Sequence, residues 1–148
     1  DMALFKFTKA ILAGEPIPVF NHGRMKRDFT YIDDIAEGVI QALDHPPSVD
    51  ETWDPKAPNP ATSGVAPHRA FNIGNGRCED LMRYIQVLEE CLGRKAEYDM
   101  LPMQPGDVPA TWADTSALET ATGYRPATPI ETGVARFVEW YKSYYGVS

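Results

Sequence analysis

The chain has 148 residues and a formal net charge of −7, with the composition of an ordinary globular protein. This length fits one domain, residues 1–148, with a hydrophobic core. The acidic balance argues against a nucleic-acid-binding protein, and no apolar run approaches the ~20 residues that a membrane-spanning helix needs. The first residue is Asp1, and an apolar pattern begins at once, so we expect a fragment of a longer protein, whose upstream part could still carry a targeting or membrane segment.

The first half of the chain predicts two helices and two strands. Apolar residues recur at helical spacing over 2–13, and Gly14 follows as a stop. Residues 17–20 read as a short strand, and residues 27–32 alternate as in a half-buried strand. Asp34 and Glu37 form a plausible capping arrangement for a helix that ends before Pro46.

A long loop is predicted over residues 45–68, which carry six prolines and little apolar periodicity. A loop of this length is either functional or mobile, and we favour a mobile insertion. The second half predicts a strand over 69–73, a helix ending at Gly93, an extended segment over 96–101 and a turn over 102–109. Asp114 would cap a short helix that ends before Gly123. A last helix is predicted to begin after a cap at Thr128, with Pro129 at its first position and Glu131 at its third.

The alternation of helices and short strands indicates the α/β class, although the strands are too few for a complete doubly wound sheet. The strand at 69–73 would make sense as an edge of a parallel sheet whose other strands lie upstream. The two cysteines, Cys78 and Cys91, flank a predicted helix, whose rise would hold them ~20 Å apart, too far for a disulfide. With three scattered histidines, no metal-ligand spacing is present, and we expect no metal site.

A local basic cluster offers the first functional signal. The densest positive charge in this acidic chain lies in one loop, in His22, Arg24, Lys26 and Arg27. One basic loop in an acidic protein favours a small anionic ligand, while a solvated turn is the equally simple alternative.

Five segments, in the same order, resemble the C-terminal substrate-binding part of the extended short-chain dehydrogenase/reductases that act on nucleotide-sugars. They are DMALFKFTKAI, IPVFNHGRMKRDFTYIDDI, FNIGN, LPMQPGDVPATWAD and GYRPATPIETGVARFVEWY. The combination of NHG, KRDFTY and LPMQPGDV is most similar to the UDP-glucuronate 4-epimerases. The resemblance covers nearly the whole chain and implies mostly helices with short strands.

The resemblance implies an NAD-dependent isomerase that converts UDP-glucuronate to UDP-galacturonate through a 4-keto sugar. It also implies a cytoplasmic enzyme that forms a homodimer through its NAD domain. Such enzymes need a Gly-rich turn for NAD and a Tyr-x-x-x-Lys pair as acid and base. No tyrosine here is followed four positions later by lysine, and Gly74-Asn75-Gly76 lacks the third glycine. We therefore expect the NAD-binding Rossmann part and the catalytic residues upstream, and this chain alone to be inactive.

The resemblance implies that this chain binds the UDP portion of the substrate. Arg27 matches the arginine that reaches the diphosphate, and its planar fork suits two phosphate oxygens. The alternative is a surface ion pair with Asp28 or Asp33. The backbone of Val19 and Phe20 matches the segment that reads the uracil edge, although the Phe20 ring could equally be core.

The resemblance suggests three further contacts. Gln104 and Asp107 match positions that contact the ribose or phosphate, although relatives often carry Arg where Gln104 stands and a simple turn would also explain this segment. Asn72 is a weaker candidate for a phosphate or sugar contact, because a strand-end Asn more often forms a turn. Asp33 and Asp34 look like a carboxylate pair, but capping explains Asp34 better, and we assign them no chemistry.

Three functions therefore compete. The first is the UDP-sugar-binding part of a UDP-glucuronate 4-epimerase. The second is the same part of another nucleotide-sugar epimerase, dehydratase or decarboxylase. The third is a non-catalytic nucleotide-binding module, which predicts that the parent protein also lacks the Tyr-x-x-x-Lys pair.

Overall fold

The computed structural model describes residues 2–147, and these divide into two compact units. The first unit comprises residues 2–29, 77–112 and 128–147, and the second comprises residues 30–76 and 113–127. Each unit mixes helices with short or irregular extended segments. The predicted α/β class, with mostly helices and short strands, is confirmed.

Three helices and five short strands make up the first unit. The helices are α1 (Ala3–Ala13), α3 (Leu81–Leu92) and α5 (Ile130–Tyr145). The helices α2 and α4 belong to the second unit. The strands are β1 (Ile17–Val19), β2 (Lys26–Arg27), β3 (Glu79–Asp80), β4 (Tyr98–Met100) and β5 (Ala110–Thr111). β1 pairs in parallel with β4, while β2 lies between antiparallel β3 and parallel β5.

The core of the first unit lies where α3 packs against α5 and α1. Apolar side chains at helical spacing on these helices meet those of β1, so the predicted stripes are the buried faces. The fully buried members include Ile17, Val19, Ile85 and Leu88. α1 and α3 end at Gly14 and Gly93, each in the left-handed conformation that closes a helix, which confirms both predicted ends.

The second unit contains α2 (Ile32–Asp44) and α4 (Ser116–Thr122), which pack against each other. The side chain of Leu118 on α4 is fully buried. Gly38 on α2 lets Ile73 approach so closely that an added Cβ would lie 2.8 Å from Cγ2 of Ile73. Asp114 Oδ1 accepts a hydrogen bond from the Ser116 amide at 3.0 Å, but Thr115 occupies the cap position of α4, so the predicted cap is displaced by one residue.

Two predicted strands are wrong. Of the predicted strand 27–32 only Arg27 lies in a strand, at the end of β2, because the chain turns into α2 at Ile32. The segment 69–73 is not a strand either, apart from a single bridge between Arg69 and Thr62. Its β-type sequence pattern has no neighbouring strand to pair with among residues 2–147, so local propensity alone does not make a ladder there.

Two predicted helix starts also differ from the structure. α2 begins at Ile32, before Asp34, so the predicted capping arrangement does not form, and Glu37 Oε1 instead accepts a bond from Gln41 Nε2 at 2.7 Å. α5 begins at Ile130, so Pro129 occupies the cap position that was assigned to Thr128. In both cases the boundary is displaced, and the existence of the helix is confirmed.

The Pro-rich loop 45–68 folds on itself. The Asp50 amide donates to the Ser63 carbonyl at 2.9 Å, and the indole of Trp53 donates to the Asn59 carbonyl at 3.3 Å. The loop lines most of an open cavity of about 810 Å³ within the second unit. Its mobility stays a prediction.

Candidate functional site

Arg27 lies on the central strand of the three-stranded sheet in the first unit. β2 places it opposite Glu79 of β3 and Thr111 of β5. The Lys26 amide donates to the Pro109 carbonyl at 2.8 Å, and the Asp28 amide donates to the Thr111 carbonyl at 3.0 Å. These backbone bonds on both sides of Arg27 fix the position from which its side chain extends.

The guanidinium of Arg27 is bonded to Asp107. Nη2 donates to Asp107 Oδ1 at 2.9 Å, while Nη1 donates to the Lys26 carbonyl at 2.8 Å. The two side chains are 28% and 33% exposed, so the pair is accessible from solvent. The structure thus brings together two of the residues predicted to bind UDP. Asp107 was not among the ion-pair partners that the sequence suggested, which were the neighbouring Asp28 and Asp33.

Asp107 closes a turn that begins at Gln104. Its amide donates to the Gln104 carbonyl at 3.2 Å, and its carboxylate also accepts a bond from the Val108 amide at 2.9 Å. Gly106 within the turn has a φ of +83°. The Gln104 side chain is exposed. The turn predicted over 102–109 is therefore present, and it delivers the Asp107 carboxylate to Arg27.

Val19 and Phe20 lie at the end of β1. The Val19 side chain is fully buried, and its carbonyl accepts a hydrogen bond from the Leu101 amide at 3.0 Å. Phe20 is half-buried and opens a tight turn, Phe20–Gly23. Leu101 is also the residue from which the chain leaves β4 toward Gln104. Four of the predicted contacts, at Val19, Phe20, Gln104 and Asp107, thus lie on two segments that share a backbone hydrogen bond.

The tight turn has an unusual backbone that the sequence did not reveal. Asn21 and His22 have φ values of 51° and 50°, and Gly23 follows with a φ of +78°. The His22 amide donates to the Leu101 carbonyl at 3.0 Å, so Leu101 bonds to both ends of the turn. The polar sequence Asn-His-Gly predicts a turn, and all three residue types accept a left-handed conformation, glycine most readily.

Asn72 lies in the second unit. Its side-chain amide donates to the Asp114 carbonyl at 3.1 Å, and the residue is exposed. This bond joins two segments of the second unit, which is a structural use of the side chain. Asp33 and Asp34 lie in the first turn of α2.

A buried carboxylate supports the strand next to Val19. Glu89 on α3 is 4% exposed, and it accepts bonds from Tyr98 Oη at 2.7 Å, the Ala96 amide at 2.9 Å and Lys95 Nζ at 2.6 Å. Burial alone would raise the pKa of Glu89, but these three hydrogen bonds together lower it. Burial and the Glu89 bond raise the pKa of Tyr98 to about 12. Glu89 therefore ties α3 to β4.

The segment Gly74-Asn75-Gly76 does not have the geometry of a dinucleotide-binding turn. A dinucleotide needs a Gly-rich turn that leads directly into a helix N-terminus. After Gly76 the chain instead enters β3 before α3 begins at Leu81, and Gly74 and Asn75 are buried.

Within residues 2–147 no group of three or more His, Cys, Asp or Glu side chains could hold a metal ion. Cys78 and Cys91 are both free thiols, as predicted, and burial raises the pKa of Cys91. No helix in the described part of the chain is long and apolar enough to cross a membrane.

Comparison with known proteins gives consistent matches. Residues 1–74 match the model of the NAD dependent epimerase/dehydratase family. The chain is 54% identical over 99% of its length to an uncharacterized 37.6 kDa protein in the cld 5′ region of Escherichia coli O111:H-, of which it covers 44%. It is 47% identical over 98% of its length to a probable UDP-glucuronate 4-epimerase of Rhizobium meliloti, of which it covers 42%.

Among solved structures, the fold is similar to UDP-glucuronic acid 4-epimerase from Bacillus cereus in complex with UDP-glucuronic acid and NAD. The TM-score is 0.77 at 30% identity, over 98% of this chain and 41% of that one. The chain thus spans less than half the length of the proteins it matches. The family model covers half of the residues, and the sequence and structural matches agree with it. This chain belongs to the NAD dependent epimerase/dehydratase family.

Proposed function

We propose that this chain is the C-terminal part of an NAD-dependent UDP-glucuronate 4-epimerase, and that it holds the UDP portion of the substrate. In the whole enzyme the reaction would convert UDP-glucuronate to UDP-galacturonate. NAD and the catalytic residues would belong to the N-terminal part, and this chain by itself would be inactive. The cytoplasmic location and the homodimer stay predictions.

The observation that carries the proposal is the pair of Arg27 and Asp107. Arginine binds two phosphate oxygens in a planar, charge-assisted geometry, and a carboxylate accepts bonds from ribose hydroxyls. An arginine that is half-buried, fixed on a central strand and open to solvent is well placed for a diphosphate. In this arrangement Asp107 would orient the guanidinium before the nucleotide binds.

The backbone at Val19 and Phe20 supports recognition of the base. An extended strand end can offer one N–H and one C=O to a uracil edge without side-chain help. The Val19 carbonyl accepts the Leu101 amide and Val19 is fully buried, so the half-buried Phe20 offers the more accessible backbone of the two. Gln104 would reach the ribose or phosphate from the turn that carries Asp107, and Asn72 would be a secondary contact to the sugar or phosphate.

Relatives named as UDP-glucuronate 4-epimerases favour this substrate over UDP-glucose. The test is to join the chain to the N-terminal part that its relatives carry and to analyse the product sugar. UDP-galacturonate formed from UDP-glucuronate is the expected result. Turnover of UDP-glucose alone would assign the chain to a sister enzyme. No turnover of either sugar, with UDP still bound, would make it a non-catalytic nucleotide-binding module.

A further inference from the structure

The turn that follows β1 holds two non-glycine residues in the left-handed region. Asn21 and His22 have φ values of 51° and 50°. A side chain in this conformation crowds the backbone, so such residues persist only where the surrounding structure holds them, and they concentrate at functional sites. Each of them therefore needs a physical reason.

Asn21 and Gly23 have such reasons. The Asn21 amide Nδ2 donates to the Arg24 carbonyl at 2.8 Å, a local bond that favours this conformation for asparagine. At Gly23, whose φ is +78°, an added Cβ would lie 2.6 Å from Sδ of Met82, so a larger residue would have to displace the Met82 side chain. Conformation and packing together explain both residue types.

His22 has no equivalent reason. Its amide bond to the Leu101 carbonyl, at 3.0 Å, is one that glycine would also make. The side chain is exposed, and the imidazole forms no hydrogen bond or ion pair with any residue from 2 to 147. Glycine would adopt the backbone conformation more easily. The fold of residues 2–147 therefore makes no use of the His22 side chain.

His22 is joined by backbone hydrogen bonds to the segments that would bind the nucleotide. Leu101 donates to the Val19 carbonyl and accepts from the His22 amide, and both bonds are 3.0 Å long. The turn is thereby fixed between the strand end that would read the uracil and the segment that leads to Asp107. A rigid turn presents its exposed side chain with little loss of conformational entropy on binding.

We propose that His22 is a nucleotide-contacting residue, whose imidazole packs against the uridine of the bound nucleoside diphosphate. This inference rests on the proposed function. An imidazole ring can stack on a base, and its N–H groups can donate to a base or ribose oxygen. The strained backbone would be the conformational cost of presenting the ring.

The test uses His22→Gly in the protein that includes the N-terminal part. Glycine removes the strain, so the thermal midpoint should rise by about 2–4 °C. Loss of the ring should weaken binding of UDP, and of uridine, by about tenfold in titration calorimetry. A residue with only a structural role would give the higher thermal midpoint with unchanged affinity, and that result would overturn the proposal.

Asn21→Gly is the matched control, because it changes the neighbouring left-handed residue and leaves His22 in place. Its UDP affinity should stay within about twofold of the parent protein. Equal weakening in Asn21→Gly and His22→Gly would attribute the effect to turn geometry and overturn the role of the ring. If Arg27→Ala weakens UDP binding and His22→Gly does not, this inference fails and the proposed function stands. If the parent protein does not bind UDP, both fail.

Discussion

Arg27 and Asp107 lie 80 positions apart in the sequence, and their side chains meet at 2.9 Å. Pairing of β2 with β5 brings them together, because β5 follows the turn that ends at Asp107. An exposed or half-exposed ion pair contributes little to stability, roughly 0–1 kcal/mol. The pair therefore contributes little to folding, and its proposed role in binding UDP should be measured with the nucleotide.

The carboxylate of Glu89 should make stability depend on pH. Its folded-state pKa is lowered from the ordinary value of 4.5, so its contribution is complete above the unfolded pKa and is lost as the pH falls through the folded pKa. Glu89→Gln should reduce the free energy of unfolding by about 1–3 kcal/mol at pH 7, and by less in acid. Urea unfolding at several pH values measures this. Glu97→Gln, which changes an exposed carboxylate between α3 and β4, is the control and should change stability by less than about 0.5 kcal/mol. Equal effects of the two variants would contradict the role of Glu89.

The turn at Gly23 should not tolerate a side chain. Gly23→Ala would combine a positive φ with a Cβ only 2.6 Å from Sδ of Met82, so we expect a loss of about 2 kcal/mol or more. Gly14→Ala has a similar φ of +71° but meets nothing within 4 Å, so it should lose only about 1 kcal/mol. Thermal or urea unfolding of both variants gives the difference. If Gly14→Ala were the more damaging, close packing at Gly23 would not be the cause.

The segment 69–73 should form a strand only in the longer protein. We propose that it becomes an edge strand of a parallel sheet supplied by the N-terminal part. The amides of Phe71, Asn72 and Ile73 have no acceptor among residues 2–147, whereas the Ala70 amide donates to the Ala61 carbonyl at 2.9 Å. Amide exchange should be fast at these three positions in this chain and slow in the longer protein. Strong protection in this chain alone would refute the proposal.

Much of the helical structure could be predicted from the sequence, because apolar spacing and terminal glycines are local signals. The ends of α1 and α3 at Gly14 and Gly93 illustrate this. The strand at 69–73 was mispredicted because strand formation depends on a partner that residues 2–147 do not supply. Similarly, the sequence suggested Arg27 as a ligand but not Asp107 as its partner, since pairing of distant strands leaves no local pattern. The left-handed φ of His22 was missed because no local pattern distinguishes it from a histidine in an ordinary turn.

The most direct test of the account is UDP binding by Arg27→Ala, measured by titration calorimetry in the protein that includes the N-terminal part. Charge-assisted hydrogen bonds contribute about 1.5–3 kcal/mol, so the dissociation constant should rise at least about tenfold. Arg94→Ala is the matched control, because it removes a positive charge from the same unit and one hydrogen bond, to the Leu12 carbonyl at 2.8 Å. We expect weak UDP binding in Arg27→Ala and parental binding in Arg94→Ala. Parental affinity in Arg27→Ala would contradict the proposed role of Arg27 in binding the diphosphate.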